Sequence, residues 1–390
     1  GPDGNLYTAD QGGTELNEVT TDAYTSSETN TTQFYQFPSW SQDGSKIAYV
    51  RIRGTTNAIT DMAIFTASPD GSGSQEIFES SWDFPLYLYW SPDGQSLTFL
   101  VMSPTSNDLS LMMVPSAGGD LLRLGKGTPL YWDWSPDNHS IALHNGGDVL
   151  ESAGDGLSLI TLGEEVIRVP LPIVPTLFKA PAWSPDGEEL LLAVKTIDEK
   201  NALILADSGG ELLNVLAVTE GSAAFAWSGD GKHIAYMDKK EAFGNYQYGA
   251  INVIEKENPT EAIQAGSAVV AFFWSPDGKK VAYFEPPLLA GELGDQENTD
   301  ARTFRLSVLD VDTRKTHDLA EFVPTPSFAD NLALFDQMQR SMTLWSPDSN
   351  KIVISALDAD GNPQIMVVDA SGNLDPRVIA SGTVAYWSWK

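Results

Sequence analysis

The most conspicuous residue that could do chemistry in this chain is an aspartate recurring behind a Trp-Ser pair: Asp43, Asp93, Asp137, Asp186, Asp230, Asp277 and Asp348. A carboxylate can serve as a general acid or base, or bind a cation. With 53 acidic residues, however, a pair suited to glycoside hydrolysis arises somewhere by chance. The four histidines, His139, His144, His233 and His317, show no metal-ligand spacing such as His-Glu-x-x-His and read as ordinary surface or strand residues. There is no cysteine, which removes disulfides, thiolate nucleophiles, Cys-ligated zinc and iron–sulfur clusters. No Gly-x-Ser-x-Gly nucleophile elbow occurs; Gly71-Ser72-Gly73-Ser74-Gln75 comes nearest and lacks the final glycine. No catalytic residue is assigned.

One segment opens like a calcium loop, Asp358-Ala359-Asp360-Gly361-Asn362. Its twelfth position is Asp369 where an EF-hand has a bidentate glutamate, and the apolar run Ile365 to Val368 intervenes. The segment reads first as a polar hairpin tip, with Asp358, Asp360 and Asn362 the candidate calcium ligands. No other cofactor is expected.

Twenty-three basic residues leave a net charge of −30. Such a surface repels nucleic acid and anionic lipid, and could attract cations or a basic partner. Apolar residues make up 42% of the chain, enough for a sizeable core. No apolar run approaches the length of a membrane span. Residue 1 falls inside a repeat-like segment, so the chain is expected to be a mature or trimmed form.

The elements that carry the aspartates are repeats. Trp-Ser-x-Asp starts at Trp40, Trp90, Trp134, Trp183, Trp227, Trp274 and Trp345, and a degenerate Trp387-Ser388-Trp389 closes the chain. Successive tryptophans are 50, 44, 49, 44, 47, 71 and 42 residues apart. Apart from the 71, this is the length of a four-stranded propeller blade, roughly 40–50 residues. In each copy an apolar run leads into the tryptophan, a Ser-Pro-Asp-Gly-type turn follows, and a β-rich run such as Lys280 to Phe284 comes next. A third run (Ala202 to Gly210) and a shorter fourth (Leu212 to Val215) complete the unit. The expected fold is an all-β propeller of four-stranded antiparallel blades. A residue repeated in every blade does the same job in every blade. The tryptophan is expected to fill the wedge between blades, and the aspartate to lock its own turn.

The segment Asn5 to Gly13 resembles 202–210 and reads as a third strand, with Leu16 to Thr20 the fourth. From Trp387 through the chain end and on from residue 1 to Trp40 is 43 residues, another blade length. The expectation is therefore one propeller domain over 1–390 with eight blades, the eighth shared by 1–21 and 382–390; seven blades is the alternative.

The Trp-Ser-Pro-Asp-Gly unit followed by an Ile-Ala-Tyr-type strand resembles the TolB-type, WD40-like (PD40) propeller repeat. The same repeat occurs in the propeller domains of prolyl oligopeptidase and dipeptidyl peptidase relatives. The resemblance covers nearly the whole chain. It implies either an extracytoplasmic propeller that binds a protein partner or a lid over a hydrolase domain, and no α/β region remains here to house such a domain.

Function is better sought where the chain departs from the repeat. The 71-residue interval carries its extra length at 286–302, which is acidic, and at 324–340. In the latter, Ser327 and Asp330 can cap a short helix carrying Leu332, Phe335 and Met338 at three-residue spacing. That stripe either packs on the propeller or forms a partner-binding ridge. Loops expected on the same face carry Trp82, Phe84, Tyr131, Phe178 and Tyr246, which could rim a concavity for a peptide or glycan. The reading from sequence is a non-enzymatic, extracytoplasmic scaffold for a protein or peptide. The alternative is a polysaccharide hydrolase or lyase using acidic residues at the channel mouth.

Overall fold

The computed structural model describes the chain except residues 56, 104–107, 147–155, 177–179, 197, 240, 244–245 and 287–302. The fold is a β-propeller: antiparallel sheets follow one another along the chain, each built from strands in sequence order save that, among the described residues, Glu241–Phe243 pairs only with Tyr246–Glu255. The chain forms two compact units. The first holds Gly1–Pro181, Arg340–Thr343 and Ser388–Lys390; the second holds Ala182–Gln339 and Leu344–Trp387.

The first unit contains three full sheets. The sheet over 31–80 carries an extra strand, Tyr24–Ser26, beside its first; those over 84–127 and 130–170 have four strands each. The N-terminal pair Tyr7–Ala9 and Leu16–Glu18 forms a two-stranded sheet at the positions expected for a third and fourth strand. Val19, next to that pair, packs with Ile47, Tyr49 and Ala67 of the first full sheet.

The second unit contains the sheets over 182–219 and 222–269, then a seven-stranded sheet running from Ala271 to Ser381. The last consists of two consecutive blades joined where Val323 and Pro324 pair with Leu357 and Ala356. Residues 382–390, expected as the first strand of a shared blade, hold no strand.

The register repeats as the sequence does. Trp40 pairs with Ile47, Trp90 with Leu97, Trp134 with Ile141, Trp183 with Leu190, Trp227 with Ile234 and Trp274 with Val281. Trp345 makes an isolated bridge to Ile352. The turn must therefore span the same distance each time. It does so with a left-handed residue at its tip, Gly94 (φ 67°) and its counterparts, a conformation glycine adopts without a Cβ clash. Asn138 and Ser349 take that place in two copies, and asparagine tolerates it best among the alternatives.

Second and third strands, rich in β-branched and leucine side chains, are buried on both faces, as in Leu190–Val194 and Ala202–Ala206. Neighbouring sheets then share a core. In the first unit Val50, Ile52 and Ile64 meet Trp90, Phe99 and Val101; in the second Leu191, Leu203 and Leu205 meet Phe225, Trp227 and Ile234.

Two helices interrupt the repeat, α1 (Pro326–Ala333) and α2 (Phe335–Met338). Thr325, not Ser327, caps α1: its hydroxyl accepts the Phe328 N–H at 3.3 Å, and Pro326 follows at the first helical position.

Candidate functional site

In all seven turns one oxygen of the aspartate locks its own turn. The serine hydroxyl donates to the carboxylate at 2.5–2.7 Å, as Ser41 does to Asp43 and Ser228 to Asp230. The same carboxylate oxygen accepts the backbone N–H two residues on, at 2.9–3.2 Å. The serine oxygen in turn accepts the N–H five residues on, which opens the next strand. Hydrogen bonds to the charged form favour it. The Ser41 hydroxyl, then the Ser45 hydroxyl and N–H, hold the Asp43 carboxyl at about 2, and the serine hydroxyls lower Asp137, Asp186 and Asp348 likewise.

The sign of the linkage follows. A depressed carboxyl stabilises the fold fully above the unfolded value, about 3.9, and the contribution is lost as pH falls toward about 2. Carboxyl carbon shifts followed through an acid titration should place Asp43 near 2; an ordinary titration near 4 would show that the turn does not hold it.

The tryptophans join one blade to the blade before it. The indole N–H donates to the carbonyl of the residue preceding the previous tryptophan: Trp90 to Ser39 at 3.0 Å, Trp227 to Ala182 at 3.3 Å, Trp274 to Ala226 at 3.2 Å and Trp345 to Phe273 at 3.0 Å. Trp134 reaches the equivalent carbonyl, Tyr89, through a relay. The buried Thr98 hydroxyl donates to Tyr89 O at 2.9 Å and accepts both the Trp134 indole (3.0 Å) and the Trp132 indole (2.9 Å). One donor and two acceptors exhaust a hydroxyl. Thr98→Val, which keeps the shape, is expected to strand these three groups and lower the unfolding free energy by about 1–3 kcal/mol in urea titrations. An unchanged midpoint would mean that the relay is not needed.

Beside this relay lies a buried polar cluster that sequence reasoning did not anticipate. Asp133, on the strand Leu130–Trp134, accepts the Tyr89 hydroxyl at 2.7 Å and Arg340 Nη2 at 3.2 Å. Its side chain is 4% exposed, that of Arg340 39%. Burial, and then the adjacent Asp133 carboxylate, push the Tyr89 phenol well above its ordinary value, so it stays a donor. Ser341 donates to Leu88 O at 2.6 Å. Tyr87, at a bulge with φ 51°, packs edge-on against Trp132 at 5.1 Å. A left-handed non-glycine residue beside a buried charge is the kind of strained position that clusters at functional sites. The one signal in the sequence was a charged residue between two tryptophans, Trp132-Asp133-Trp134, in a first strand that is otherwise apolar.

The residues expected to meet a partner divide. Trp82 is 77% exposed, the most exposed large apolar side chain described. Phe84 is half-buried against the core of its unit, and Tyr131 is half-buried with its ring 6.1 Å from that of His144. Tyr246 donates to Ala329 O at 3.2 Å and packs edge-on against Phe304. Phe178 lies outside the described residues, as does the 286–302 insertion apart from Pro286.

A partner-binding ridge at Leu332 and Phe335 is corrected: both are fully buried, and Met338 is half-buried. Phe335 packs on Phe272 and Phe273, and Lys239 lies over its ring while pairing with Asp336 at 2.9 Å. Every third position of this segment is apolar because it faces its own core, a geometry the spacing cannot distinguish from an exposed stripe.

At the candidate calcium loop, Asp358 Oδ1 accepts the N–H groups of Asp360 (2.9 Å) and Asn362 (2.8 Å), and Oδ2 accepts the Asn362 amide at 3.0 Å. These bonds make it a self-closed turn of the Asx kind. Among the described residues no three or more His, Asp or Glu side chains are grouped to hold a metal ion. No described helix is long and apolar enough to cross a membrane.

The fold is shared with several solved structures. A dihydro-heme d1 dehydrogenase superposes on 98% of this chain and 74% of its own with a TM-score of 0.56 at 14% identity. Two prolyl endopeptidases are represented by a match over 88% of this chain with a TM-score of 0.54 at 12% identity; the chain spans about half (49%) of that protein. An oligogalacturonate lyase in complex with manganese matches over 94% of this chain and 96% of its own, with a TM-score of 0.51 at 14% identity. At such identities the likeness defines a β-propeller and nothing finer. No family model matches the chain, and no curated protein does.

Proposed function

We propose that this chain is a non-enzymatic, extracytoplasmic scaffold that binds a protein or peptide, and that its repeats are of the TolB-type, WD40-like class. The observation that carries the reading is Trp82, an indole left 77% exposed between two rigid sheets. A tryptophan so placed has the area and the low entropy cost of a binding hot spot. The seven repeated carboxylates support the reading, since one oxygen of each is already engaged by its own turn. The extracytoplasmic assignment rests on the repeat resemblance and on the Ser/Thr/Asn-rich stretch from Thr20 to Thr32. The eight-blade reading rests on the tryptophan spacings and the N-terminal strand pair.

The test is a photo-crosslinking residue at position 82 in the producing cell. A defined protein adduct, lost when crosslinking is moved to a distant turn such as Asn362, supports the scaffold; its absence counts against it.

A second reading is favoured by the Tyr89–Asp133–Arg340 cluster, which sets a buried carboxylate between a phenol and a half-exposed guanidinium. A polysaccharide lyase could use such a group to receive a sugar acid, because guanidinium binds carboxylate in a two-pronged fashion. Incubation with oligogalacturonate, with and without manganese, separates the two readings through the ultraviolet absorbance of an unsaturated product. Turnover lost in Asp133→Asn would replace the scaffold reading.

A further inference from the structure

Propeller sheets end in an edge strand, and such edges are normally blunted by charge or proline. Among the described fourth strands seven follow that rule, with Glu18, Glu76, Arg123, Pro170, Glu261, Glu321 and Arg377 among the residues that do so. Leu212–Thr219 lacks both, although two bulges interrupt its pairing with Asn201–Asp207. Its eight residues, Leu-Leu-Asn-Val-Leu-Ala-Val-Thr, hold neither charge nor proline. Leu212, Leu213, Val215 and Val218 are 47–62% exposed, while Leu216 and Thr219 are buried and anchor the strand. On one side it pairs with Asn201–Asp207; on the other no strand is paired to it among the described residues.

We infer that the Leu212–Thr219 edge receives an extended, apolar segment of another protein, flanked by basic residues, as an added antiparallel or parallel strand. This inference rests on the scaffold reading and says where one partner segment sits and what it carries. Main-chain pairing along the stretches between its two bulges supplies affinity, and the exposed Leu212, Leu213, Val215 and Val218 side chains supply specificity. The charge of the occupant follows from the ends of the strand. Exposed Glu211 and Glu220 bracket it, on a chain of net charge −30. A second copy is disfavoured by the same charges: antiparallel pairing would bring Glu211 of one copy toward Glu220 of the other at both ends, and like charges set opposite each other destabilise a strand pair.

The test uses the full chain and a fluorescein-labelled nonapeptide alternating valine and threonine between terminal lysines, with a twin ending in glutamates. The lysine peptide is expected to bind at least ten-fold more tightly than its twin at low salt, and to slow amide exchange at 212–219. The variant Val215→Lys, which restores the missing charge, should weaken it at least ten-fold while melting as the parent does. Leu213→Lys serves if that variant fails to fold. No binding, equal binding by the variant, or protection confined to other strands would overturn the inference. So would a concentration-dependent dimer protecting these same amides, because the occupant would then be a second copy. A failed peptide titration beside a successful crosslink at position 82 removes this edge alone and leaves the scaffold reading in place.

Discussion

Replacing Trp227 with alanine is expected to lower the unfolding free energy by about 3–5 kcal/mol, the range for losing a large aromatic side chain from a core. The indole is buried among Leu191, Leu203, Leu205 and Phe225, so its removal leaves a cavity between two sheets that cannot easily close. It also strands the Ala182 carbonyl, which accepts its N–H at 3.3 Å. The two parts are separable. Trp227→Phe keeps most of the packing and removes only the donor, so it should cost less, about 1–3 kcal/mol. Urea denaturation followed by circular dichroism reads both. Equal losses for the two variants would place the energy in the hydrogen bond, and negligible losses would remove the tryptophan from its part in joining sheets.

Phe335→Ala is expected to cost a similar amount, about 3–5 kcal/mol, for the same reason. The ring is fully buried, touches Phe272 and Phe273 at 5.2 and 6.1 Å between centroids, and supports the Lys239 ammonium at 5.5 Å. The measurement also discriminates between the two roles the sequence allowed this residue. A partner ridge would lose binding and keep its melting temperature; a core residue loses its melting temperature first. Since Lys239 and Asp336 sit at the same spot, Phe335→Leu offers the milder control, retaining apolar volume without the aromatic face.

The propeller was legible because its signals are local and repeated. A tryptophan, a serine, an aspartate and a left-handed tip residue within five positions define one turn, and seven copies at blade spacing make chance untenable. The register of Trp40 on Ile47, and of its counterparts, is fixed by that turn alone. The site was less legible because its parts come from distant stretches. Asp133 and Arg340 are 207 residues apart, and neither carries a motif. The apolar stripe of Leu332, Phe335 and Met338 shows the same limit from the other side. Periodicity reports that one face is apolar, and what covers that face is a tertiary fact. The edge at Leu212–Thr219 was visible as a strand, but only burial shows that its apolar residues stay in water.

The indole bonds have a direction as well as a strength. In each of the four direct cases the donor belongs to the later blade and the acceptor carbonyl to the earlier one. A chain leaving the ribosome from its N-terminus therefore meets a prepared acceptor each time a new tryptophan emerges. The earlier blade waits with its carbonyl in place, and the newcomer supplies the proton. Along the chain, the acceptor of each such bond is therefore made before its donor.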